Sequence, residues 1–262
     1  MRNGIQWNAF RSPLKANCLI ALFLLGCNAS SQAAQSSFNV LCRPELALSH
    51  RAELAEKLRL ITGWQNLGFD ENGALRLNEM KIRGGSQTAR DLLAAAVSGK
   101  NVIVLEDASN RNDVVFCRVI EGKWKRNASA KPPVYIVLID FADFSHLTGD
   151  AAALSAFNVG WGVMHELDHV VRDSSDAEKN GETGECEDAV NRMRRECGLP
   201  LRADYYFSFL PAAEHSDFKT KLVRLPFNAY NAEINKMKRY WLMWDAALVG
   251  GLDEQKRLAA RR

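Results

Sequence analysis

The stretch Met164-His165-Glu166-Leu167-Asp168-His169-Val170-Val171 decides how this chain is read. It contains His165-Glu166-x-x-His169. On a helix, residues four apart share a face, one turn above the other. Two imidazoles so placed can close on one Zn²⁺, and a glutamate beside them can work on a water at the ion. Advancing about 100° per residue, His165, Glu166 and His169 fall within one third of the helical wheel, with Gly162 among them. Val163, Met164, Leu167, Val170 and Val171 take the other side. The spacing predicts a helix with an apolar back to bury and a polar front whose glycine leaves room. With five histidines in the chain, a chance match to the motif is on the order of one in a hundred.

Upstream, Leu46, Leu54, Leu58 and Ile61 recur at helical spacing and predict a helix over 44–64 that ends at Gly63. Residues 68–85 are rich in turn formers, and 88–97 read as a short helix stopped by Gly99. Val102–Leu105, Val114–Ile120 and Tyr135–Ile139 read as strands, with a turn cluster at 107–113. Downstream, Leu222–Leu225 suggests a strand broken at Pro226. Ala232–Val249, with Tyr240, Trp241, Leu242, Trp244 and Leu248, reads as a long helix packed by its aromatics and closed by Gly250-Gly251. Together these give an α+β domain, a small mixed sheet packed on the motif helix.

The first 26 residues carry Arg2, Arg11 and Lys15, no acid, and the apolar run Leu19–Leu25. They read as a signal peptide, and the run is too short to span a bilayer. Leu24-Leu25-Gly26-Cys27 resembles a bacterial lipobox, with cleavage near Gln32-Ala33-Ala34 as the rival reading. Residues 27–40 read as a tether and 41–262 as one domain. The protein is expected to be exported, touching a membrane only through a lipid at Cys27. Without the leader, 31 basic residues face 31 acidic ones. That balance gives no general attraction to nucleic acid, although Arg192, Arg194 and Arg195 allow a local basic patch. Cys42, Cys117, Cys186 and Cys197 remain after the leader, an even number that predicts two disulfides in an exported protein. Cys186 and Cys197 are too far apart on one continuous helix, so each is expected to pair with Cys42 or Cys117 unless the helix breaks between them.

With its strand upstream of a HExxH helix, the chain resembles the zincin metallopeptidases, over roughly residues 130–205. The resemblance implies a zincin fold, a Zn²⁺ cofactor and a peptide or protein substrate. It also implies a strand running beside the cleft, and Tyr135–Ile139 is placed to be that element. The metzincin branch needs Gly and His where this chain has Arg172 and Ser175, so it is excluded. Asp173 lies on the ligand face if the helix continues, but about 12 Å of rise separates it from His165. It is read as supporting the histidines or forming the turn. In the gluzincin branch a second helix supplies a glutamate. Glu187, with Asn191 four residues on, is similar to that arrangement, and Glu185 competes with it. Glu187 is taken as the third metal ligand beside His165 and His169. Asn191 is a candidate to orient the ligands, while Asp188 and Glu196 are read as solvating a helix face. The resemblance makes Glu166 the general base, with Tyr205, Tyr206 and His215 as candidate oxyanion donors; His50 and His146 are not read as ligands. The expected activity is zinc-dependent peptide hydrolysis. The alternatives are a zincin-fold binding or scaffold protein that keeps its zinc without turnover, and a hydrolase of a non-peptide amide.

Overall fold

A computed structural model describes residues 39–77, 81–109, 111–123, 131–210 and 221–250. The leader, Cys27 and His215 lie outside these residues. The architecture is mixed α+β. In chain order the elements are β1 (Val40–Cys42), α1 (Leu48–Thr62), β2 (Gly68–Phe69), β3 (Leu75–Arg76), α2 (Gln87–Ser98) and β4 (Val102–Asp107). Then come β5 (Cys117–Glu121), β6 (Val134–Ile139), α3 (Phe141–Ser145), β7 (Thr148–Gly149), α4 (Ala151–Ala156) and α5 (Val159–Arg172). The last are α6 (Gly184–Glu196), β8 (Leu201–Arg202), β9 (Ser208–Phe209), β10 (Leu222–Asn231) and β11 (Lys236–Asp245). No helix among the described residues is long and apolar enough to cross a membrane.

One sheet has the order β1-β4-β6-β5, with β1, β4 and β6 parallel and β5 antiparallel on the outside. The largest core among the described residues lies between this sheet and the helices packed on it. Leu54, Leu58 and Ile61 of α1 and Leu92 and Leu93 of α2 meet Ile103, Leu105 and Val137 of the strands. Val163, Met164 and Leu167 of α5 join the same core, so the apolar back of the motif helix is buried as its spacing predicts. Helix α1 ends at Gly63, whose φ of 78° is a left-handed cap open to glycine at little cost. Ser86 starts α2 by accepting from Ala89 N.

The C-terminal region corrects the expected helix over 232–249. It is a β-hairpin in which β10 and β11 pair antiparallel, with Val223 opposite Trp244, Leu225 opposite Leu242 and Phe227 opposite Tyr240. Val223, Leu225, Phe227, Leu242 and Trp244 are buried. Alternate residues therefore face one core, the period-two pattern of a strand. The aromatic run suits a strand as well as a helix, and pairing with the long β10 decides between them. Nor does Pro226 break β10: its register partner is Trp241, and its carbonyl accepts from Ala203 N at 2.9 Å. The second sheet, β7-β11-β10-β8 with β9 on β10, carries its own apolar core around Phe157, Phe227 and Trp244.

Two further expectations are corrected. Tyr135–Ile139, expected beside the cleft, is an inner strand, because Cys117–Glu121 lies outside it at the edge of the sheet. The two expected disulfides are absent among the described residues, where Cys42, Cys117, Cys186 and Cys197 are free thiols. Cys42 and Cys117 sit on opposite edge strands of the first sheet, about 14 Å apart at ordinary strand spacing. Cys186 and Cys197 stand eleven positions apart at the two ends of the unbroken α6, about 16 Å along its axis. Both separations exceed the roughly 7 Å that a disulfide tolerates, and the cross pairs expected of Cys186 and Cys197 are not formed either.

Candidate metal centre

Helix α5 starts at Asn158, whose side chain accepts from Gly160 N at 3.0 Å. Gly162 fills the role its position on the wheel suggests. A Cβ there would lie 2.8 Å from Cys117 Sγ and 3.0 Å from Phe144 Cζ, so its absence lets α5 lie against the start of β5. The helix ends at Asp173, which takes a left-handed conformation (φ 57°) and donates its N–H to His169 O at 3.1 Å. Aspartate tolerates that conformation better than most residues. The reversal carries Ser174, Ser175 and Asp176 back beside the helix. The start of α6 then pins this turn. Cys186 N donates to Ser175 O at 3.1 Å, and Ser175 N and Oγ donate to Glu185 at 3.1 and 3.0 Å. Gly184 (φ 78°) makes the approach possible, since a Cβ there would collide with the Asp176–Ala177 backbone.

Three donor atoms converge as a result. His165 Nε2 lies 3.3 Å from His169 Nε2 and 3.1 Å from Asp176 Oδ1, which is 3.4 Å from His169 Nε2. Ligands about 2.0–2.1 Å from a tetrahedral zinc stand about 3.3–3.4 Å from one another, so the triangle has the size of one face of such a site. Cys186 Sγ completes a group whose ligand atoms all lie within 4.8 Å of one another. The outer atoms are held as well. His169 Nδ1 lies 2.7 Å from Ser174 O. A carbonyl can only accept, so Nδ1 carries a proton, and Nε2 is the nitrogen that becomes available to an ion once its own proton is lost. Tyr205 donates its hydroxyl to Asp176 Oδ2 at 2.8 Å and stacks over His165 with ring centroids 6.0 Å apart.

Glu187, expected as the third ligand, lies elsewhere. Its Oε2 is 3.4 Å from Nδ1 of His165, the ring nitrogen that points away from the convergence. The contact is an ion-pair distance without the alignment of a hydrogen bond. Glu187 is buried and paired with two arginines, Arg194 at very close range and Arg202 Nη1 at 2.9 Å. Arg194, expected in a surface patch, is buried too. It donates to Ala156 O at 2.8 Å and to Asn191 Oδ1 at 3.0 Å. Asn191 therefore orients the arginines rather than a histidine. Glu185 caps the turn at Ser175, and Asp173 forms that turn. Glu196, expected to solvate a helix face, instead accepts from Ser86 Oγ at 2.7 Å and Thr88 N at 3.0 Å, tying α6 to the start of α2. His50 pairs with Asp107 at 3.0 Å and is stacked on Phe141, away from the motif.

Glu166 is buried, and its Oε2 accepts from Val119 N of β5 at 2.8 Å. Burial pushes its carboxyl up from the ordinary range, and the neighbouring His165 and His169 only partly offset this. Burial by itself would discourage protonation of His165, but the hydrogen bond to Asp176 and the nearby Cys186 and Glu187 outweigh it and hold the ring well above its usual range. His169 is raised to about 11, chiefly by Asp176. Burial opposes ionisation of both carboxylates. Asp176 is nonetheless held low by His165 and His169, and Glu187 by Arg194 and Arg202. A cavity of about 340 Å³ opens against His165 and Glu166, with Phe116, Phe157, Trp161, Tyr205 and Trp244 among its walls.

His165, Glu166 and His169 thus lie together as their spacing predicts, whereas Asp176 and Cys186 join them from outside the motif. The run Asp173-Ser174-Ser175-Asp176 is the signal that could have found Asp176. It is a polar turn cluster, and a helix that stops at 173 voids any distance reckoned along its continuation. Comparison with protein-family models, curated proteins and solved structures returned no match.

Proposed function

We propose that the chain is a zincin-type, zinc-dependent hydrolase that cuts peptide bonds, with Glu166 as its general base. The observation that supports this most is the convergence of His165 Nε2, His169 Nε2 and Asp176 Oδ1 at 3.1–3.4 Å beside a buried Glu166. Two imidazole nitrogens and one carboxylate oxygen suit a divalent ion of zinc's character. Such an ion, when bound, supplies the Lewis acidity that makes a water nucleophilic near neutral pH. Glu166 takes the proton that this water loses and returns it to the departing amine. Its burial raises its basicity for that task. Val119 N–H holds the carboxylate on the side where β5 ends the sheet, and the outer edge of β5 offers main-chain groups to an extended peptide. Tyr205, held on Asp176, sits close enough to His165 to serve the ligand set. The charge layout of the leader supports export, with a lipid at Cys27 as the membrane attachment.

Replacing Glu166 with Gln tests the reading. The variant is expected to bind one equivalent of zinc and to lose hydrolysis of a peptide library by about 10²–10⁴-fold. Full hydrolysis by Glu166→Gln would remove Glu166 from the mechanism. A second reading, a zincin-fold protein that keeps its ion as a structural part, is favoured by Cys186, because a fourth protein donor is the mark of closed, structural sites.

A further inference from the structure

We propose that Cys186 is a fourth, thiolate ligand that closes the metal centre at rest, so that the site is latched by its own chain. The inference rests on the proposed metal site and adds to it the identity of the last donor. Cys186 is fully buried in the first turn of α6. Its Sγ is 3.1 Å from the backbone carbonyl of His165, a helix oxygen. The same Sγ belongs with His165, His169 and Asp176 in one group of donor atoms spanning no more than 4.8 Å. A zinc–sulfur bond of about 2.3 Å and a zinc–nitrogen bond of about 2.0–2.1 Å put the two ligand atoms about 3.6 Å apart in a tetrahedron. The present separations therefore close with movement of about 1 Å, which rotation of the thiol away from the His165 carbonyl can provide.

The surroundings favour this use of the sulfur. Glu185 and Glu187, on either side of it in sequence, are engaged with Ser175 and with the two arginines. Cys186 is thus the donor that α6 presents to the triangle. Its backbone N–H is tied to Ser175 O, one residue before Asp176, so the strap that positions Asp176 positions the sulfur as well. On coordination the S–H bond breaks, its proton passes to solvent, and a sulfur–metal bond forms without any redox change. With two nitrogens, one oxygen and one sulfur the ion is four-coordinate and closed. A water then reaches the ion only beside the thiolate as a fifth ligand or in its place. A sulfur ligand also selects a thiophilic ion, zinc or cobalt, over magnesium, calcium or manganese.

Cobalt substitution of the full chain tests the latch without relying on turnover. Co²⁺ titrated into the wild-type protein should give tetrahedral ligand-field bands in the visible together with an intense sulfur-to-cobalt charge-transfer band in the near ultraviolet. In Cys186→Ser the charge-transfer band should vanish while the visible bands remain, and cobalt should bind at least about tenfold more weakly. Cys186→Ala provides the same comparison should the serine hydroxyl disturb the buried site. Visible bands in the wild type without the charge-transfer band would overturn the latch and leave the three-ligand site standing. No cobalt bound by the wild-type chain would remove the metal site and the latch together.

Discussion

Asp176 and Glu187 approach the same imidazole from opposite sides, and their surroundings differ in kind. Asp176 stands in a turn, with a partly exposed side chain whose partners are His165, His169 and the hydroxyl of Tyr205. Glu187 stands in the first turn of α6, 1 % exposed, with two guanidinium groups on its carboxylate. The difference concerns charge more than distance. Permanent cations already balance Glu187, whereas among the described residues the charge of Asp176 is opposed by histidines, which give up their protons when a metal arrives. One carboxylate is therefore free to serve an ion, and the other anchors the wall behind it.

The largest expected effect breaks the anchoring side. Glu187→Ala leaves Arg194 buried without its counter-charge, and breaking such a pair costs about 3–5 kcal/mol of folding stability. Urea unfolding of the metal-free protein measures it; a loss below about 1 kcal/mol would mean that the arginines do not depend on Glu187. Asp176→Ala acts on the other side. Zinc affinity by calorimetry should fall by more than about 100-fold, beyond the range for groups that only support ligands. A larger loss of affinity in Glu187→Gln than in Asp176→Ala would reverse the comparison. Tyr205→Phe removes the hydroxyl from Asp176 Oδ2 while keeping the ring on His165. It should weaken zinc by about tenfold, the lower end for a supporting hydrogen bond, and an unchanged affinity would separate Tyr205 from the site.

The smallest effect lies at the far end of α6. The Glu196 carboxyl is lowered from its ordinary 4.5 to about 2, because hydrogen bonds from Ser86 and Thr88 outweigh its desolvation. Its contribution is fully present above about pH 4.5 and is lost as pH falls through about 2. Glu196→Gln should cost about 1 kcal/mol at neutral pH, the scale of a lost helix cap. It should also flatten the fall in stability between pH 4.5 and 2. Unfolding curves for the two proteins that stay parallel over that range would contradict the assignment.

Much of α5 was legible because its information is local: the spacing of His165, Glu166 and His169 and of the apolar residues behind them fixes both faces. Asp176 was not legible in that way. Its position depends on a single left-handed residue, Asp173, and a rigid helix extended past it points to the wrong place. Glu187 attracted the ligand role by spacing alone, since the chain does not announce that Arg194 and Arg202 fold onto it. The β10–β11 hairpin was misread because an aromatic run between Lys236 and Asp245 serves either period, and the partner that decides lies more than ten residues away. The edge position of β5 has the same origin, as strand order is set by packing across the chain rather than within a segment. The expected disulfides followed from an even number of cysteines, yet all four thiols are free among the described residues.

Anomalous diffraction from crystals of the zinc-loaded protein distinguishes Asp176 from Glu187 as the partner of the histidine pair. A peak is expected about 2 Å from Nε2 of His165, Nε2 of His169 and Oδ1 of Asp176, with Glu187 still paired to Arg194 and Arg202. A peak with Glu187 at bonding distance and Asp176 turned away would contradict that assignment.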